Sequence, residues 1–266
     1  MYPQLTRIGP VPIGTHDVFL ALALVIAAVL LVAEARGRKV HDDRLWYVVA
    51  GALVGGALLG RLGTWAQHWD LRGNATLPEQ WLYGNRSILS GLVGAYLGVL
   101  VAKRLCGYRA STGDLFAPAV AAGMAVGRIG CLLTELPGTP TGATWGIVLT
   151  PDQAARLPHA VAGVPLHPSF GYEIAFHLVA LVALLGLRHR IHRPGELFKL
   201  YLSGYALFRF AVEFVRGNEV VLAGLTRPQW FLLAGFPLLA VRLVHQARRG
   251  SYADVFTRVR KEMVHQ

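Results

Sequence analysis

The sequence predicts an all-α integral membrane protein. The expected fold is a seven-transmembrane-helix bundle, N-terminus outside and C-terminus cytoplasmic, with an irregular extracytoplasmic segment. Three observations carry this. The 266 residues are 54% hydrophobic and only 15% charged, against roughly 25% charged in a soluble domain, and the mean hydropathy is +0.44. Apolar runs close to the ~20 residues that cross a bilayer recur along the chain. Basic residues gather in alternate loops, as they do on the cytoplasmic side of a membrane. Thirty glycines suit such a bundle, because small residues let membrane helices approach closely.

Residues 1–16 are short and mixed, with Gly9-Pro10 and Pro12 set against regular structure. The first apolar run, Val18 to Ala33, is longer than the roughly 7–15 residues of a signal-peptide core and follows no basic cluster, so it reads as a transmembrane helix. The second covers Trp46 to about Ala66, and Gln67–Asn85, with Trp69, Trp81 and Tyr83, reads as an interfacial loop with aromatic anchors. A third run, Ser87 to Ala102, ends in Lys103-Arg104, and a fourth starts near Asp114 and carries Pro118. Residues 135–169, rich in proline and glycine, are too long for a simple connector and suit a functional lid outside the membrane. Phe170–Leu187, Phe198–Val215 and Trp230–Val244 complete seven spans. Residues 1–250 read as one seven-span domain and 251–266 as a basic cytoplasmic tail.

The loops after the first, third and fifth spans, together with the tail, hold 17 Lys and Arg, and the opposite side holds 6. This asymmetry sets the orientation. It also accounts for the net charge of +11, which in a soluble protein would point to nucleic acid. No nucleic-acid, nucleotide, cofactor or metal motif is legible. The two cysteines, Cys106 and Cys131, form neither a disulfide framework nor a metal-ligand spacing and read as packing residues.

Three arginines, Arg61, Arg128 and Arg209, fall inside the spans. Each costs about 2.5–3.5 kcal/mol on insertion scales at a helix centre, so each calls for a partner. Gly60-Arg61-Leu62-Gly63 echoes Gly127-Arg128-Ile129-Gly130, too briefly to be a repeat. Tyr205, Arg209, Glu213 and Arg216 fall at i, i+4, i+8 and i+11, on one helical face. His167-Pro168-Ser169-Phe170-Gly171-Tyr172-Glu173 adds a carboxylate at an outer boundary. Arg209 and Glu213 could simply neutralise each other and hold the bundle together. As a set, however, the arginines outnumber the carboxylates evident nearby, and surplus positive charge in a low dielectric calls for an anion. The planar guanidinium binds phosphate oxygens in pairs and never deprotonates, so the cluster reads as an anionic-phospholipid site.

The chain resembles the prolipoprotein diacylglyceryl transferases of bacterial inner membranes. The resemblance runs from Gly9-Pro10 to the last span. It rests on Asp114-x-x-x-Pro118, Gly127-Arg-Ile-Gly130, Glu135 with Gly138, His167-Pro-Ser-x-x-Tyr-Glu173, and Tyr205-x-x-x-Arg209-x-x-x-Glu213-x-x-Arg216. It implies transfer of a diacylglyceryl group from phosphatidylglycerol to the lipobox cysteine thiol of a prolipoprotein, releasing glycerol phosphate. Membrane lipids and the precursor's signal-peptide segment would be its partners. By position, Arg128 and Arg209 would hold the phosphate, Glu135 and Glu213 would orient them, and Tyr205 would bond the headgroup. Arg61, Arg216, Asp114 and Glu173 would complete the phospholipid site.

Departures from the family pattern bear on the proton. Where the family carries a histidine at the start of the third span, this chain has Leu89 in Ser87-Ile-Leu-Ser-Gly91. Cys131 stands where asparagine usually follows Gly-Arg-Ile-Gly, and one residue fewer precedes the glutamate. Thr15-His16-Asp17 stands where a tyrosine is usual. His16 or His167 could then supply the base, neutral imidazole being suited to it, or both could be interfacial side chains. Two rivals follow: the same lipid site with another acceptor, and a non-catalytic phospholipid-binding or transport protein. Transport predicts two similar halves with broken helices, and none is legible.

Overall fold

In a computed structural model of the chain, residues 4–9, 11–65, 76–83, 87–157, 159–191 and 193–252 are described. The apolar runs become helices at each expected place, so most of the chain is helical. Strands β1 (Gln4–Ile8) and β2 (Val11–Gly14) lead into α1 (Thr15–Gly37), followed by α2 (Arg44–Trp65), α3 (Leu77–Tyr83), α4 (Ile88–Cys106) and α5 (Gly113–Thr134). Next come β3 (Ile147–Val148), α6 (Pro151–Ala154), β4 (Pro165–Leu166), α7 (Ser169–Leu187) and α8 (Glu196–Val212), which runs into a 3-10 turn at Glu213–Val215. Strands β5 (Val220–Leu222) and β6 (Leu225–Thr226) precede α9 (Arg227–Arg248).

Six of these helices, α1, α2, α4, α5, α7 and α9, are long and apolar enough to cross a membrane. The run at Phe198–Val215 gives a helix of 17 residues that is shorter and more polar on its buried face. Small β-elements correct the purely helical expectation. The N-terminal residues form the antiparallel hairpin β1–β2 in spite of their Gly-Pro sequence, because Gly9 supplies the positive φ, 59°, of the turn. β3 pairs with β4, and β5 with β6. The interfacial loop contains α3, while Trp69 and Arg72 lie outside the described residues, as does nearly all of the 251–266 tail.

Internal contacts divide the chain into two compact units, residues 39–110 and the remainder. In the 39–110 unit, Asp42 accepts the backbone N–H of Arg44 (3.0 Å) and pairs with its side chain, so α2 starts capped and the Asp42 carboxyl is held below its usual range by that arginine. α2 and α4 then pack through glycines: a Cβ at Gly51, Gly55 or Gly94 would run into a backbone carbonyl of the opposite helix. Such an approach is open only to residues without side chains. Ser87 accepts the Ser90 N–H at the start of α4, and Gly107 closes it at φ 68°. Arg61 lies over the Trp81 ring, 5.1 Å from its centroid.

In the other unit α5 is the central helix, packed against α1, α7 and α8. Its small face makes this possible: a Cβ on Gly123 would stand 3.2 Å from the Ala23 carbonyl oxygen, and one on Gly130 would stand 3.0 Å from Phe19 Cβ and 3.3 Å from His16 Cα. Ala117, Ala121, Leu184, Leu197 and Tyr201 form the core between α5, α7 and α8. Outward-facing Val25, Val29, Val179 and Val182 are exposed, as lipid-facing residues of apolar helices are. Leu149, Ala154 and Leu166 give the 135–168 segment a small core of its own, so this stretch is folded and not a loose loop.

Candidate functional site

The site forms where α5 and α8 end and α7 begins. Arg128 sits in the last two turns of α5, Glu173 in the first turns of α7, and Tyr205, Arg209 and Glu213 on the inner face of α8 and its 3-10 extension. The spacing expected for α8 holds: Tyr205, Arg209 and Glu213 are buried, while Leu207 and Phe214 on other faces are exposed.

Glu173 is the hub of the charge cluster. It is fully buried, lies 2.5 Å from Arg128 Nη2, accepts from Arg216 Nη1 at 2.7 Å and receives the Tyr205 hydroxyl at 3.3 Å. Arg209 pairs with Glu213, which also accepts Asn218 Nδ2 (2.6 Å) and the Thr226 hydroxyl (2.8 Å). Thr226 at the start of α9 thereby ties the β5–β6 turn to the cluster. Arg128 and Arg216 share the Phe170 ring, at 5.8 and 4.3 Å from its centroid. Arg216 feels the charges of Arg128 and Arg209 as well as those of Glu173 and Glu135.

This geometry revises the charge count made from sequence. Around Arg128, Arg209 and Arg216 stand Glu135, Glu173 and Glu213, so the cluster is balanced and not positively charged in surplus. What it offers an anion is donor capacity. Arg128 is 4% exposed, and its Nε has no hydrogen-bond partner among the described residues. A buried guanidinium N–H left unpaired is costly, so an acceptor at that position would be favoured.

Glu135, expected to orient Arg128, instead faces Arg216 at 3.8 Å with its side chain 45% exposed. Its position depends on Gly138. The chain after α5 threads between Val215 and His167, bonding Gly138 N–H to His167 O (2.7 Å) and Thr139 N–H to Val215 O (2.9 Å). A Cβ at Gly138 would strike the Val215 carbonyl, which explains the glycine three residues after the glutamate. Asp114 lies apart from the cluster at the other end of α5, where it accepts the N–H groups of Gly195 (2.8 Å) and Leu197 (3.0 Å) and holds the start of α8. Fourteen residues of helix separate it from Arg128, about 21 Å. The structure thus brings Asp114 to the start of α8 and not to the charge cluster. Arg61 belongs to the 39–110 unit.

His16 is in the first turn of α1, brought beside α5 at Gly130. Its ring nitrogen, Cys131 Sγ and a Glu135 oxygen all lie within 4.8 Å of one another. Cys131, expected to be a packing residue, also takes a contact of 3.8 Å from Arg128 Nη1. His167 Nδ1 bonds the Tyr172 hydroxyl at 3.0 Å, and its ring meets the edge of Trp145, so it is tied into the extramembrane segment. Sequence reasoning missed His177 and Tyr201, both buried behind Glu173, with the Tyr201 hydroxyl 3.0 Å from His177 Nδ1. His177 follows Glu173 by four residues, the one signal that placed it on the same face.

The profile of the prolipoprotein diacylglyceryl transferases matches residues 3–245. The chain belongs to that family. It is similar to the phosphatidylglycerol–prolipoprotein diacylglyceryl transferase of Cupriavidus metallidurans, 32% identical over 82% of this chain and 79% of the relative. It resembles the enzyme of the same name from Bordetella avium, 29% identical over 94% and 96%, and that of Azoarcus sp., 31% identical over 91% and 92%. Membership makes the chain a membrane transferase of the lipoprotein-biosynthesis type, and four of the five motifs that carried the resemblance meet around Glu173, the Asp114 motif lying at the other end of α5.

Proposed function

We propose that this family member moves a diacylglyceryl group from phosphatidylglycerol to the lipobox cysteine thiol of a prolipoprotein, in the bacterial inner membrane, releasing glycerol phosphate. The observation that carries the reading is the buried cluster around Arg128, whose unpaired Nε offers a donor in a water-poor site. Phosphatidylglycerol enters with one negative charge on its phosphodiester, and the departing glycerol phosphate gains a second. Arg128 and Arg209, held within a cluster whose charges balance before the reaction, meet that developing charge, and Arg216 adds to the field. Fixed cations aimed at charge that appears in the transition state are usually the largest catalytic contribution. Glu173 and Glu213 hold the guanidinium groups in place, and the Tyr205 hydroxyl lies within reach of both Arg128 and Glu173.

The acyl chains need an apolar bed. A crevice of about 390 Å³ between α1, α5 and α7, lined by Ile26, Val29, Ala122, Ala125, Val126 and Leu181, begins one turn before Arg128 on α5 and suits one chain. Seven spans with N-terminus outside place Arg128, Glu135 and the 135–168 segment at the outer face, where a lipobox peptide arrives. His16 is the group assigned to the acceptor thiol in place of Leu89, from its place beside Cys131 and Glu135.

The test is incubation of the purified protein with phosphatidylglycerol and a lipobox peptide, reading thioether product and released glycerol phosphate. Arg128→Ala and Arg209→Ala are expected to lower the rate by about 10²–10³-fold, the cost of one lost transition-state donor. His16→Ala should lose turnover while still binding lipid. Lipid bound but never consumed by the unaltered protein would overturn the reading.

A further inference from the structure

Two residues that part from the family pattern, His16 and Cys131, come from different helices yet meet in space, and they meet at Glu135. Cys131 and Glu135 are four apart at the end of α5 and so share a face, and His16 reaches them because Gly130 lets the first turn of α1 lie against α5. An imidazole nitrogen, a thiol sulfur and a carboxylate oxygen lie mutually within 4.8 Å. Ligands of a tetrahedral zinc ion at bond lengths of about 2.0–2.3 Å stand roughly 3.3–3.8 Å apart, a distance these side chains reach by small torsional shifts. One N, one S and one O donor suit zinc, and three protein ligands are the number at which catalytic zinc sites leave a fourth position open. The surroundings agree. Cys131 is buried and Arg128 Nη1 approaches its sulfur at 3.8 Å, the kind of N–H contact that orients a metal-bound thiolate. Glu135 is 45% exposed and provides the entry path. The Cys131 thiolate and the Glu135 carboxylate together match the charge of a divalent ion, Glu135 then turning from Arg216, which keeps Glu173.

We propose that His16, Cys131 and Glu135 bind one zinc-class divalent ion, and that the acceptor thiol takes the fourth position. The second half rests on the transferase reading above. A thiol bound to such an ion is deprotonated outright, which supplies what Leu89 cannot and gives His16 its role as a ligand to the activating ion. The proton passes to water. The sulfur lone pair then forms the bond to the terminal glyceryl carbon of the donor lipid, and the carbon–oxygen bond to phosphate breaks with its electron pair on the phosphate oxygen. The products are the thioether and glycerol phosphate, with no change of oxidation state.

The full chain, purified in detergent and stripped with a chelator, is titrated with Zn²⁺ and separately with Co²⁺. The expected result is one equivalent bound per chain and a thiolate-to-cobalt charge-transfer band. Cys131→Ser should abolish that band, and His16→Ala and Glu135→Gln should each weaken Zn²⁺ binding by at least about tenfold. Failure of the unaltered protein to take up either ion, or an unchanged band and affinity in Cys131→Ser, overturns the site. Each variant is checked for an unaltered melting profile without metal, and the Zn²⁺ result from His16→Ala decides if Cys131→Ser does not fold. For the thiol step, stripped protein should lose transfer to the lipobox peptide and regain it with Zn²⁺. Transfer unaffected by complete stripping overturns that step. Metal bound with the expected ligands but no transfer under any condition would sink the transferase reading and leave the metal site standing.

Discussion

Glu173 is the residue on which the site turns. It pairs with two guanidinium groups at once, from α5 and from the turn after α8, while fully buried. Removing one partner of a buried ion pair costs about 3–5 kcal/mol, because the remaining charge stays in a low dielectric without compensation. Glu173→Gln keeps the volume and one acceptor but strands Arg128 and Arg216, so a destabilisation of about that size is expected in thermal unfolding in detergent, together with loss of transfer. A melting profile like that of the unaltered protein would show that the arginines find another counter-charge. At this scale the sequence was informative about identity and silent about pairing. Arg128, Arg209, Glu213 and Tyr205 were legible as charges on an apolar background. Which carboxylate each arginine meets was not, since Glu173 and Arg128 are 45 positions apart in the chain and nothing local couples them. Asp114 shows the converse: a charge legible in the same way turned out to cap the start of α8.

Among the elements, glycines decide how close the helices come. α2 and α4 meet backbone to backbone at Gly55 and Gly94. Gly55→Ala therefore presses a methyl against a carbonyl that cannot rotate away, and should cost about 1–3 kcal/mol, the usual penalty for overpacking. Apparent melting temperature measures it, and an unchanged value would mean that the two helices slide apart freely. Gly138→Ala acts differently. The methyl would displace the strand of chain that seats Glu135 beside Arg216, so transfer should fall at least tenfold, with a smaller change in stability than Glu173→Gln. Helix positions were readable from apolar runs, with ends shifted by a few residues: α1 starts three residues before the apolar stretch and ends four after it. The three strand pairs were not, because two to five residues of strand carry too little pattern to stand out from turns rich in proline and glycine.

For the whole molecule the sidedness expected from the basic residues is testable. In a Cys106→Ser background, Ala143→Cys in the exposed 135–168 segment should react with a membrane-impermeant thiol reagent in intact cells, and His189→Cys at the end of α7 only after permeabilisation. The reverse pattern would invert the orientation drawn from the 17-to-6 distribution of basic residues. That distribution, the apolar runs and the family motifs are properties of order along the chain, so residue order alone determined the membrane class and the family and marked Arg128 and Arg209 as charges in need of partners. The fold decided the rest. It made the cluster neutral, because burial forces each charge to find an opposite one wherever the helices end. It brought His16, Cys131 and Glu135 together, because a glycine lets two helices touch at the level of these side chains. Proximity across helices is set by packing, which no spacing within one helix encodes.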